Sequence, residues 1–258
     1  MNFRSILAAS AALLLSSAAA NAAQVAALVG GDTIAMVDTA QKKATGSVKV
    51  TGISGALVGI DVRPADGMLY GLVDDGTVVT IAADGKATMK SRLDTMLAKG
   101  VTATVDFNPV ADRLRVMGAD GMNLRANVDD GKVTKDGDHK YADGDMHKGE
   151  KPNIVAGAYT NSVKGAKETA LFNIDATIGG LIKQAPPNDG VLGAIGKLGI
   201  KADGVAFDIW SDGAGKNEAW LMAGGTLYSV DLATGKATEA AKIAGVSGTV
   251  KDIAIMGM

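Results

Sequence analysis

The sequence predicts an all-β protein, a β-propeller of five blades with about four strands each, closed by pairing of its C-terminal strand with its N-terminal blade. Three observations lead there. An Asp-bearing segment recurs as "GIDVRP" (59–64), "TVDFNP" (104–109), "AFDIWS" (206–211) and "VKDIAI" (250–255), and "VAGAYTN" (155–161) fills the long gap with Ala158 in the Asp place. The steps between these positions are 45, 52, 50 and 44 residues, the length of a four-stranded meander. A turn followed by a Thr-bearing segment recurs as "ADGKAT" (83–88), "DDGKVT" (129–134) and "ATGKAT" (233–238), with "TAQKKAT" (39–45) as a degenerate copy. Gly after Asp or Thr, between alternating apolar residues, is a hairpin signal because Gly accepts positive φ. Finally, the two ends complement each other. "VAALVGGDTIAMVDT" (25–39) reads as outer strands without an inner one, and "VKDIAI" is an inner strand without outer ones.

Taken in order, residues 1–22 read as a secretory signal peptide. Arg4 is the basic start, Ile6 to Leu15 the apolar run, and "ANA" (20–22) the small-residue cleavage site. Residues 23–258 then form a single propeller domain. "SRLDTMLAK" (91–99) reads as a short helix between blades. The irregular fourth unit leaves six blades as an alternative, and the short strands leave a β-sandwich. A membrane β-barrel needs strands of about 9–11 residues and aromatic girdles. The segments here are shorter, and the chain has only 2 Trp, 4 Tyr and 4 Phe.

Charge and composition exclude some functions. Without Arg4, 25 basic residues face 28 acidic ones, which argues against nucleic acid. No apolar run after the signal is long enough to span a bilayer. There is no Cys for disulfides or for a lipid anchor. These features predict a periplasmic or secreted soluble protein.

Three clusters carry candidate chemistry. The first is Asp61, Asp106, Asp208 and Asp252, one carboxylate for each of four inner strands. Converging carboxylates repel, and a hard cation with oxygen ligands, Ca2+ above all, relieves that; no other cofactor is expected. The competing role is to accept local hydrogen bonds and pin turns, with Arg63, Arg113 and Arg115 near enough in sequence to offset charge. Alternation puts Asp61 on one face with Gly59 and Arg63, a face that points either to the channel or between blades. The second cluster is "DGDHKYADGDMHKGEKP" (136–152), where Asp136, Asp138, His139, Asp143, Asp145 and His147 are candidate metal ligands. Its spacing matches neither a zinc site nor an EF-hand, and a solvated loop is the plainer reading. The third is Asn108, Arg113, Arg115, Asn123 and Arg125, suited either to an anion or sugar pocket or to Arg–Asp pairs between blades. "PPNDG" (186–190) reads as a turn.

The stretches "NPVADRLRV" (108–116), "AYTNSVKGAKETALFNID" (158–175) and "PPNDG", with the Asp repeat, resemble the DUF4394 family of exported bacterial proteins of unknown function. The resemblance covers the whole mature chain and is consistent with a propeller, and it implies no activity. Between Asp136 and Lys151 the sequence departs from that family's texture by its two His and a Met.

Neither a G-x-S-x-G elbow, an H-E-x-x-H pair nor a P-loop occurs. The expected function is therefore a non-catalytic binding or interaction module of the cell envelope, whose partner is an unknown protein or small molecule. The alternatives are a calcium-dependent hydrolase or lyase with carboxylates at the central channel, and a metal-binding protein using the 136–147 loop.

Overall fold

The computed structural model describes residues 23–257, so the expected signal peptide lies outside the described residues. Five small sheets form a ring, and no α-helix occurs among the described residues. Blade one contributes β1 (Gln24–Val29), β2 (Thr33–Asp38) and β3 (Lys43–Lys49). Blade two is β4 (Leu57–Val62), β5 (Leu69–Val73), β6 (Thr77–Ile81) and β7 (Ala87–Arg92). Blade three is β8 (Ala103–Asn108), β9 (Arg113–Gly118), β10 (Asn123–Ala126) and β11 (Val133–Lys135). Blade four has five strands: β12 (Lys140–Tyr141), β13 (Ile154–Tyr159), β14 (Leu171–Asp175), β15 (Gly180–Gln184) and β16 (Val191–Lys197). Blade five is β17 (Val205–Ser211), β18 (Asn217–Ala223), β19 (Thr226–Val230) and β20 (Ala237–Lys242). The last strand, β21 (Val250–Gly257), pairs antiparallel with β1 and becomes the inner strand of blade one. The ring is closed between its two ends, as the complementary termini required.

The inner strands pack in a cycle, β4 on β8, β8 on β13, β13 on β17, β17 on β21 and β21 on β4. Both faces of every blade are therefore covered, and alternation along each strand sends successive side chains into two different seams. Five separate apolar cores result, one per seam. Val105 and Phe107 face blade two with Tyr70 and Leu72. Ile253 and Ile255 face blade five with Ala206 and Met222, whereas Ala254 packs toward blade two with Leu28, Leu57 and Ile60.

The repeated Gly turns explain themselves in the ring. Gly85 and Gly131 have φ of +83° and +77°. A Cβ there would lie 2.4 Å from the Lys49 carbonyl oxygen and 2.0 Å from that of Arg92, each in the preceding blade. Thus the turn Gly serves both the hairpin and the docking of one blade on the next.

Two expectations change. Residues 93–99 form no helix; Leu93 and Leu97, spaced like a helical stripe, enter the seam between blades two and three from irregular chain. The 136–152 stretch is not wholly a loop, because Lys140 and Tyr141 pair in parallel with Val191 and Leu192 as β12. "PPNDG" is a single 3₁₀ turn over Pro187–Asp189.

Candidate functional site

Asp61, Asp106, Asp208 and Asp252 all lie on inner strands and are 3–8% exposed. Each reaches across a seam to a backbone N–H of the next blade. Phe107 donates to Asp61 at 2.7 Å, Tyr159 to Asp106 at 2.9 Å, Ile255 to Asp208 at 2.7 Å and Ile60 to Asp252 at 2.9 Å. Asp61, Asp208 and Asp252 also accept from the residue that follows them, Val62, Ile209 and Ile253. Four of the five seams carry such a clamp; at the seam of blades four and five the position is Ala158.

These bonds also fix the heights of the four groups. Asp61 and Asp106 each accept from the residue just after the matching position of the next strand, Asp106 and Ala158. By that rule the Ile255 donor puts Ala254, not Asp252, level with them. Asp252 therefore sits one rung, two residues, nearer the N-terminal ends of the inner strands. Oxygens of Asp61, Asp106 and Asp208 lie within 4.8 Å of one another, the one such grouping of acidic, His or Cys side chains among the described residues. Thr104, on the same face of β8 as Asp106, shares the rung of Asp252. It is 4% exposed and its hydroxyl has no hydrogen-bond partner.

The four carboxylates take part in no ion pair among the described residues. Burial pushes Asp61 well above the usual carboxylate range, with repulsion from Asp208 adding to it. Burial does the same to Asp106, reinforced by Asp61 and Asp208, and to Asp252. Asp208, also through burial, is pushed up to about 6. The arrangement favours anything that neutralises charge on the axis, a proton or a cation.

The arginines near these positions in sequence are engaged elsewhere. Arg63 grips Asp112 at 2.6 Å and Asp129 at 2.9 Å across the seam of blades two and three, and its guanidinium lies over the Tyr70 ring. Arg115 is fully buried; it donates to Asp136 at 2.6 Å, and to Tyr159, Asn123 and Asn188. Arg125 grips the same Asp136 through two nitrogens, at 2.7 and 2.9 Å. Burial opposes ionisation of Asp136, but the bonds from Arg125 and Arg115 outweigh it and hold its carboxyl below the usual range. Asn123 donates to the carbonyls of Gly137 and Pro187, so the "PPNDG" turn is a lid on this hub. Arg113 donates to the Ala111 and Asp112 carbonyls, and Asn108 accepts from Val110 and Ala111.

In the 136–147 stretch the candidate ligands go separate ways. Asp136 belongs to the arginine hub, Asp138 pairs with Lys135 and Asp143 with Lys148. Asp145 accepts from His147 N–H and Ala194 N–H, and the His147 ring faces Glu150 and Tyr141. His139 is buried with neither ring nitrogen bonded; burial, helped by Arg115, lowers it to about 4.

At the N-terminal ends of the inner strands a funnel of about 490 Å³ opens on the axis. Val58, Ala103, Val155, Val205 and Lys251, one residue from each inner strand, share its wall. With Asp252 offset as its hydrogen bond to Ile60 requires, they stand one residue before Gly59, Thr104, Ala156, Ala206 and Asp252. Asp74, Lys99 and Asp203 supply charge at the rim. Sequence reading missed Thr104 and this rim; strand alternation from Asp106 would have found the former.

A five-bladed ring with a buried carboxylate group on its axis and a funnel above it thus defines an all-β propeller. The chain belongs to the family described as a domain of unknown function (DUF4394), whose model matches residues 33–254. Among solved structures it is similar to a protein of unknown function from Bacteroides thetaiotaomicron VPI-5482, with 16% identity, a TM-score of 0.54, and coverage of 90% of this chain and 64% of that one. It is also similar to a protein of unknown function from Bacteroides caccae, with 12% identity, a TM-score of 0.46, and coverage of 91% and 99%. No curated protein matches the chain.

Proposed function

We propose that this protein is exported to the periplasm or beyond and acts there as a non-catalytic binding module, taking its ligand or partner at the axial funnel. The single observation that carries this reading is that all five inner strands contribute to the funnel wall. A second groove, about 430 Å³ and lined by Met36, Met68, Ile81 and Met256, draws on blades one and two alone. The funnel has an apolar throat in Val58, Val155 and Val205 and a rim of both charges, which suits a partner with an apolar tip and polar flanks. The N-terminal apolar run, with Arg4 before it and "ANA" after it, supports export. No described helix is long and apolar enough to cross a membrane.

For the axial carboxylates the ion we propose is calcium, since the donors are all oxygen and all hard. A calcium-dependent hydrolase or lyase would need its substrate at Asp61, Asp106 and Asp208. Their burial favours a structural ion over a catalytic one.

The test is site-specific photocrosslinking in the native cell. A benzoylphenylalanine at Thr102 or Lys251, on the funnel, is compared with one at Lys236, on an outer hairpin. Discrete adducts, protein or small molecule by intact mass, are expected at the funnel positions alone. Equal adducts at all three sites, or none at the funnel, would refute the reading.

A further inference from the structure

We propose that the axis holds one calcium ion ligated by Asp61, Asp106, Asp208 and the Thr104 hydroxyl, and that this ion locks the ring. The inference rests on calcium as the axial ion and adds its ligand set and its role. Three carboxylates from blades two, three and five place oxygens within 4.8 Å of one another. Calcium oxygens at 2.3–2.6 Å from the ion span up to about 5 Å when opposite, so the grouping fits one ion. Asp106 is the best placed arm. Its Oδ1 takes the Tyr159 N–H, and its Oδ2 takes no protein hydrogen bond among the described residues.

Thr104 is the independent observation. A buried hydroxyl with no partner is costly, and this one lies on the Asp106 face of the same strand, one rung toward the funnel. An ion on the axis supplies what it lacks. The other occupants of that rung, apart from Asp252, are Gly59, Ala156 and Ala206, all small. A Cβ on Gly59 would lie 2.8 Å from an Asp252 oxygen, so that rung has no room for a larger side chain beside Asp252.

The clamps alone do not call for charge. An Asn at position 106 could accept the Tyr159 N–H as Asp106 does, without burying a carboxylate beside three others. The charge has a purpose if a cation shares it. Each carboxylate has about four lone-pair sites, so an oxygen that accepts an N–H can still face an ion.

The experiment uses the mature chain, freed of metal with chelator, in calorimetric titration and thermal unfolding with Ca2+ and with Mg2+. Wild type is expected to bind one Ca2+, and Tm to rise by about 5–10 °C at a hundredfold excess over Kd. Asp106→Asn is expected to abolish binding while raising the Tm of the metal-free protein, which keeps a misfolded variant from passing as a positive result. Thr104→Val is expected to weaken binding about tenfold, the loss of one oxygen ligand. If wild type binds no Ca2+, calcium fails as the axial ion and the inference falls with it. If Asp106→Asn binds as wild type does, calcium is real but sits elsewhere, and the ligand set is wrong. If only Thr104→Val is silent, Thr104 is no ligand.

Discussion

Removing the Asp136 carboxylate separates the two roles open to the arginine cluster. In Asp136→Ala, Arg115 stays fully buried and loses its anion, while Arg125, with its side chain 29% exposed, turns to water. Asp136 receives three charge-assisted bonds, one from Arg115 and two from Arg125, with 5% of its side chain exposed. Breaking a buried pair and stranding its partner costs about 3–5 kcal/mol. For a domain of this size that lowers Tm by roughly 6–20 °C. Arg125→Ala leaves the Arg115–Asp136 pair intact and removes a half-buried partner, at about 1 kcal/mol. Urea unfolding at neutral pH, followed by circular dichroism, measures both. The slope with denaturant should not change, because the surface exposed on unfolding is the same. If Asp136→Ala costs no more than Arg125→Ala, the hub is not a structural one. If inorganic phosphate then stabilises wild type but not Arg125→Ala, the cluster is an anion pocket instead.

Two further outcomes follow from the same geometry. His139 is lowered to about 4 from an ordinary 6.5 by burial, with Arg115 adding to it and Asp138, Asp120 and Asp175 opposing. The unfolded chain then binds more protons between these values, so His139 contributes stability that is present above pH 6.5 and lost as pH falls through 4, about 3 kcal/mol in all. His139→Leu, which forfeits no ring hydrogen bond, should remove that slope from a pH series of urea midpoints; an unchanged slope refutes the assignment. Deleting Val250–Gly257 removes the β21–β1 ladder, the Asp252 clamp and the Ile255 donor to Asp208, and bares the edge of β1. Gel filtration should find aggregate with no cooperative unfolding; a monomer with the wild-type midpoint would show that closure does not hold the ring.

Much of the fold was legible because its marks are local. The Asp-bearing segments mark inner strands in four blades, and the Gly turns mark outer hairpins in three, since each needs a particular residue at a particular place. The termini could be paired because each lacked what the other had. Other features depended on register, which local pattern does not carry. "VKDIAI" aligns by letters with "GIDVRP", but β21 meets β1 with irregular register at both ends of the ladder, and Asp252 stands a rung away from Asp61. Leu93 and Leu97 have helical spacing, yet the seam takes both from irregular chain. Of the partners of Arg115, Asn123 is 8 residues away and groups with it in the sequence, but Asp136, Tyr159 and Asn188 lie 21, 44 and 73 residues away, beyond the reach of a local pattern.

Clamping and ion binding are compatible on the axis because each prepares the other. The N–H groups of Phe107, Tyr159 and Ile255 each hold one carboxylate oxygen at a seam, which fixes the direction of the second. Side chains so held lose little freedom when an ion arrives, the condition for a preorganised site. The three arms belong to blades two, three and five, and the Asp208 arm is held by β21, the strand that closes the ring. An open ring would therefore have neither the geometry nor the repulsion that makes a cation welcome. The seam without a clamp, at Ala158, leaves one side of the axis apolar, and there the ion would keep water as its remaining ligand. On this reading site formation and ring closure are one event, and the repulsion among the aspartates opposes closure only until the ion is bound.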